Sequence, residues 1–206
     1  MKKWKKIASA AFLTAAICNF GVSLVVSAST NGWAVTYRKY AQEHENWCWA
    51  ACAQASGRHE NDNSIVTQTQ VASHGKNGTN IYTMGTIEQT LDAAEFASLD
   101  TATYAIGSTN YPFEFYIAQL VNDHVTIVGL MYTDDNGNIL GTGGHMVTIG
   151  AARIVAGSSR FITYFDPYDG GYTRECAYGN FYNGTKVLAN QSVPSAVSDI
   201  LYPTGG

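Results

Sequence analysis

Charge is scarce in this chain of 206 residues: Asp, Glu, Lys and Arg together make up 14%, against ~25% in an average domain. Proline is scarce as well, with 4 residues, and no Pro-rich stretch, long charge run or internal repeat divides the sequence. No linker and no second domain is therefore visible. Cysteine is sparse, and no pair has CxxC spacing, which argues against a disulfide-dense scaffold and against a CxxC zinc site. Disorder is excluded by the 46% hydrophobic content. Gly, Ser, Thr, Asn and Tyr fill the space left by charge, a composition rich in loops and strands.

The first 28 residues read as a secretory signal peptide. Lys2, Lys3, Lys5 and Lys6 form a basic head, Ile7 to Val26 is apolar apart from a few polar interruptions, and Val26-Ser27-Ala28 offers a cleavage site. A membrane anchor is the competing reading, but Asn19, Gly21 and several Ser and Thr weaken the run as a span. The expected product is residues 29–206, one domain, secreted or extracellular. Without the leader, Lys+Arg falls from 12 to 8 against 16 Asp+Glu, a net charge of −8. Such a surface argues against nucleic acid, whose binding needs cations to replace counterions, and against stable association with an anionic membrane.

Hydrophobic spacing predicts helices at 46–56, 86–98 and 112–122. Asn46 is the expected N-cap of the first and Gly57 its stop, Thr86 caps the second, and Pro112 opens the third. Phe113, Tyr116, Ile117, Leu120 and Val121 follow i, i+3, i+4, i+7, i+8 spacing. Residues 29–41 read as an extended lead-in, and 58–64 and 73–80 as polar loops. Strands are expected at 125–132, 145–155, 160–165 and 172–178, with a turn at 135–138. The fold class is α+β, an N-terminal helical half set against a C-terminal antiparallel sheet or small barrel.

Three cysteines remain after the leader: Cys48, Cys52 and Cys176. An oxidising compartment is able to join Cys52 to Cys176, leaving Cys48 unpaired. Cys48 falls in the first turn of its expected helix, where free backbone N–H groups and the helix dipole favour an anion. Five histidines are available to partner it. His44 precedes the helix, His59 and His74 fall in polar loops, and His124 follows a helix it is placed to cap. His145 heads a strand directly after Gly143-Gly144, which lets another backbone approach closely. Asp166 ends the next strand within reach of that ring; Asp169 competes for the role but sits in a Gly-rich turn. Cys, His and Asp in this order have the logic of a thiol triad. Gln42, six residues before Cys48, is placed to donate to an oxyanion together with the Cys48 N–H.

Gln42, five intervening residues and Cys48-Trp49-Ala50, followed by Gly143-Gly144-His145 and Asp166-Pro167, resemble the active-site segments of papain-like cysteine peptidases. The stretch Asn46-Trp47-Cys48-Trp49-Ala50-Ala51 is similar to the bacterial branch containing bacteriocin-leader peptidases and plant-pathogen effector proteases. The resemblance spans roughly residues 36–170. It implies Cys48 as nucleophile, His145 as general base and acid, Asp166 as the orienting carboxylate and Gln42 as oxyanion donor. It further implies a papain-like fold, a protein or peptide substrate, and no cofactor or metal. The third residue is Asp rather than the Asn of plant and lysosomal members, and no large propeptide separates Ala28 from Gln42.

Three other readings stand beside this one. A zinc site would use His44, Cys48 and Cys52 at i, i+4, i+8, if the helix began before His44. A transpeptidase or acyltransferase would use the same thioester with a different acceptor. A secreted binding or toxin module would keep the fold without the chemistry.

Overall fold

Alanine at 50, 51, 53 and 55 gives the segment after Trp47 a high helix propensity and almost no side-chain bulk. It forms helix α1, Cys48–Glu60, buried nearly all round from Cys48 to Gly57. The computed structural model describes residues 30–107, 111–134, 136, 138–168, 170–183 and 195–205. The expected leader at 1–28 and Asp169 lie outside the described residues.

Gly57 does not stop α1. A Cβ there would stand 2.5 Å from the Ala94 carbonyl oxygen, so the glycine marks where α1 crosses α3, Ile87–Ala97. Asn46 does not cap it either: Trp47 occupies the N-cap without a side-chain bond, and Asn46 Nδ2 donates to the Tyr82 carbonyl at 3.2 Å. Between them α2, Gln68–Gly75, occupies part of the segment read as loop, and Thr67 and Gln70 close it with a capping box. Thr86 and Gln89 do the same for α3. Helix α4, Phe113–Val121, follows Pro112 as its N-cap and buries Phe113, Tyr116 and Leu120. A short α5 covers Tyr178–Asn183.

Among the described residues seven strands form one antiparallel sheet: β1 Thr30–Ala34, β2 Thr103–Gly107, β3 Thr126–Thr133, β4 Ile139–Val155, β5 Ser159–Asp166, β6 Tyr172–Ala177 and β7 Ser195–Gly205. The order is β2-β7-β3-β4-β5-β6, with β1 paired to the far end of β4. The sheet is open, with β2 and β6 at its ends, rather than a closed barrel. The sequence reading left β2 and β7 unassigned. Successive residues on a strand point to opposite faces. Accordingly Ile127 and Leu201 join a core with α1, α2 and α3, while Val128 and Ile200 join a second core with α4 and Phe181. The architecture is α+β, helices on both faces of an antiparallel sheet.

Candidate active site

Two buried indoles fix the start of α1. Trp47 Nε1 donates to the Ile81 carbonyl at 2.6 Å and Trp49 Nε1 to the Thr83 carbonyl at 3.3 Å. Their rings anchor the helix to the 81–85 loop, where a Cβ on Gly85 would press into the Trp49 ring at 2.4 Å. No side chain caps the helix, so the first-turn N–H groups, that of Cys48 included, keep the donor capacity that helix starts leave unused. Cys48 itself is 6% exposed.

The middle of the sheet delivers the partners. His145 lies on β4 opposite Leu130, and Asp166 ends the neighbouring β5. His145 Nε2 donates to Asp166 Oδ1 at 2.6 Å, with both side chains buried. Cys48 neighbours the same ring closely enough to favour its protonated form; with Nε2 engaged by Asp166, Nδ1 is the nitrogen left to face the thiol. Burial alone would lower the His145 pKa. The hydrogen bond to Asp166, the neighbouring Cys48 thiol and the charges of both outweigh that and lift it to about 9. For Asp166 burial opposes ionisation, yet the His145 bond and charge, the Tyr168 N–H at 3.0 Å and the Arg174 guanidinium hold its pKa below the ordinary value. Arg174 Nε stands 3.9 Å from Asp166 Oδ2, a neighbour with no signal in the sequence.

Gln42 is near but turned. Its N–H donates to the Pro167 carbonyl at 2.8 Å, tying the lead-in to the Asp166 corner. Its amide nitrogen donates to the carbonyls of His44 at 2.9 Å and Glu45 at 2.6 Å, and its Oε1 is buried without a partner. The expected donation toward the Cys48 region is therefore not what this amide does here: both its hydrogens hold the turn before α1.

The remaining histidines stand in other surroundings. His44 packs edge-on against Trp47 and Tyr82. His59 is not a solvated loop residue: it is buried near the end of α1, its Nε2 2.6 Å from the Asp123 carbonyl oxygen. His74 stacks on Phe96 beside Asp92, and His124 pairs with Glu60. Because α1 begins at Cys48, His44 is not on it, and the helical spacing behind the zinc reading does not exist. Among the described residues no group of three or more His, Cys, Asp or Glu side chains is arranged to hold a metal.

Cys52 and Cys176 are free thiols, not a disulfide. Burial, with the neighbouring Cys48 and Asp166 charges, raises the Cys52 pKa well above its usual value; burial and Glu175 push Cys176 up to about 12. Cys48 and His145 open onto a cleft of about 310 Å³ between α3 and the β3, β4 and β7 strands. Trp49, Met131, Gly144 and Met146 line it, as do Ser198 and Asp199 of the unassigned β7. Among the described residues no helix is long and apolar enough to cross a membrane. No protein-family model and no curated protein matches this chain.

Proposed function

We propose that this protein is a secreted cysteine peptidase of papain-like arrangement, with Cys48 as nucleophile, His145 as general base and acid, and Asp166 as the carboxylate that orients His145. The observation that carries the reading is a buried His145 hydrogen-bonded to Asp166 and lining one cleft of about 310 Å³ together with Cys48, whose thiol neighbours the ring. A merely structural histidine does not need an anionic clamp, a thiol and a cleft together.

The chemistry follows from that geometry. Cys48 transfers its proton to His145, giving a thiolate beside an imidazolium that Asp166 stabilises. Sγ bonds to the substrate carbonyl carbon, and the carbonyl electron pair moves onto oxygen. The Cys48 N–H, at the uncapped start of α1, is the first donor to that oxyanion. Gln42 becomes the second when its amide releases the Glu45 carbonyl. The oxyanion collapses, the C–N bond breaks, and the amine leaves with the proton from His145. Water then loses a proton to His145 and attacks the thioester, and the carboxylic acid leaves as Cys48 recovers its proton. Peptide and isopeptide bonds satisfy the same sequence of steps.

The test is mass-spectrometric comparison of peptide mixtures treated with wild type and with Cys48→Ala. Cleavages present only with wild type are the expected result. Iodoacetamide at neutral pH should label Cys48 well ahead of Cys52 and Cys176, whose thiols burial keeps protonated. Equal native-state labelling of all three would count against the assignment.

A further inference from the structure

Glu88, in the first turn of α3, and Asp199, on β7, both line the cleft over Cys48, and among the described residues no Lys or Arg lines it. Lys76 stands next to the lining, its ammonium donating to the Met84 carbonyl and lying over the Trp49 ring. The Glu88 carboxyl is held below its ordinary pKa by its own N–H and by Thr86, and among the described residues neither Glu88 nor Asp199 is in an ion pair.

Trp49, Met131 and Met146 give the same cleft an apolar, deformable lining. Gly129, opposite Asp199 in the β3–β7 register, keeps that side open: a Cβ there would come within 3.2 Å of Ser198 Oγ. An apolar lining with unpaired carboxylates fits a long alkyl stem with a cationic head. We propose that the cleft selects peptides with a lysine or arginine side chain beside the bond that Cys48 attacks, with Glu88 and Asp199 as the anionic partners; this rests on the peptidase reading above. Acidic side chains are repelled by the same pair.

Glu88 is exposed, so the selection is moderate and salt-sensitive, about tenfold at low ionic strength. Fluorogenic peptides scanned at each acyl-side position with lysine, arginine, norleucine and glutamate measure it. Norleucine keeps most of the lysine stem without the charge. Wild type should favour lysine or arginine over norleucine about tenfold at one position, shrinking toward parity in high salt. Glu88→Gln with Asp199→Asn should bring the ratio near one. The same lysine and norleucine peptides, titrated calorimetrically into Cys48→Ser protein, read the preference without turnover. If wild type cleaves nothing while Cys48→Ser still prefers lysine through Glu88 and Asp199, the cation site stands and the peptidase reading fails. Cys48-dependent cleavage indifferent to charge, or a preference that survives both the double variant and high salt, overturns the inference alone.

Discussion

The His145–Asp166 pair has a consequence that pH exposes. Asp166 favours the imidazolium, so the protonated ring survives to about 9 instead of its usual 6.5. Replacing Asp166 by Asn removes the negative charge and leaves a polar group of similar shape. The imidazolium then loses its proton at lower pH, and the alkaline limb of the pH–rate profile should move down from near 9 toward 6.5. An unmoved limb in Asp166→Asn would separate this carboxylate from the reaction. The same shift bears on stability: a raised histidine pKa stabilises the folded state fully below about 6.5, and that contribution disappears as pH rises through about 9. For Gln42, loss of an oxyanion donor lowers turnover by about 10²–10³. Gln42→Ala should show such a fall while iodoacetamide still alkylates Cys48 at the wild-type rate, because alkylation forms no oxyanion. A parallel fall in both would confine Gln42 to holding the 42–45 turn.

Among the elements, α1 depends on the absence of side chains along its length. Gly57 and the alanines bring it close to α3, with Ala94 and Ala97 on the opposing face. Gly57→Ala places a methyl against backbone that cannot rotate away, an overpacking that costs about 1–3 kcal/mol. Thermal unfolding should register it as a fall of several degrees in Tm, and an unchanged Tm would show that α3 yields freely. What could be read ahead of the structure divides along the same line. Helices α3 and α4 carry caps and spacing within a dozen residues, and Cys48 and Asp166 each stand at the end of a helix or strand marked by local signals; His145, expected to head its strand, instead lies within β4, which begins at Ile139. Helix α2 is legible in principle, since Thr67-Gln68-Thr69-Gln70 is a capping-box sequence, but its polar composition carries no apolar spacing, and only its end falls in the expected 73–80 loop. Strands β2 and β7 carry weaker local marks. They are set by pairing partners far off in sequence, Ile106 with Leu201 and Val128 with Ile200, and with β7 comes the Ser198–Asp199 wall of the cleft. For Gln42, a six-residue spacing from Cys48 does not fix the direction of its amide, which here donates to the nearer carbonyls of His44 and Glu45.

For the whole molecule, the proposal of secretion is supported by the basic head and apolar run of residues 2–26 and by the acidic balance of residues 29–206. N-terminal sequencing of exported protein should begin Ser29-Thr30-Asn31-Gly32-Trp33, and an intact Met1 form held in the cytosol would overturn secretion. The position of β7 has a further effect on how such a chain matures. This strand lies between β2 and β3, yet it is made after every other element described. Until it arrives, β2 has no strand to pair with, one edge of β3 is unpaired, and the cleft lacks the side that Asp199 supplies. Contacts of such long sequence separation form slowly. A nascent chain thus carries Cys48 long before the cleft that Cys48 faces is complete. On the peptidase reading proposed above, the order of synthesis would itself delay cleavage until β7 is in place.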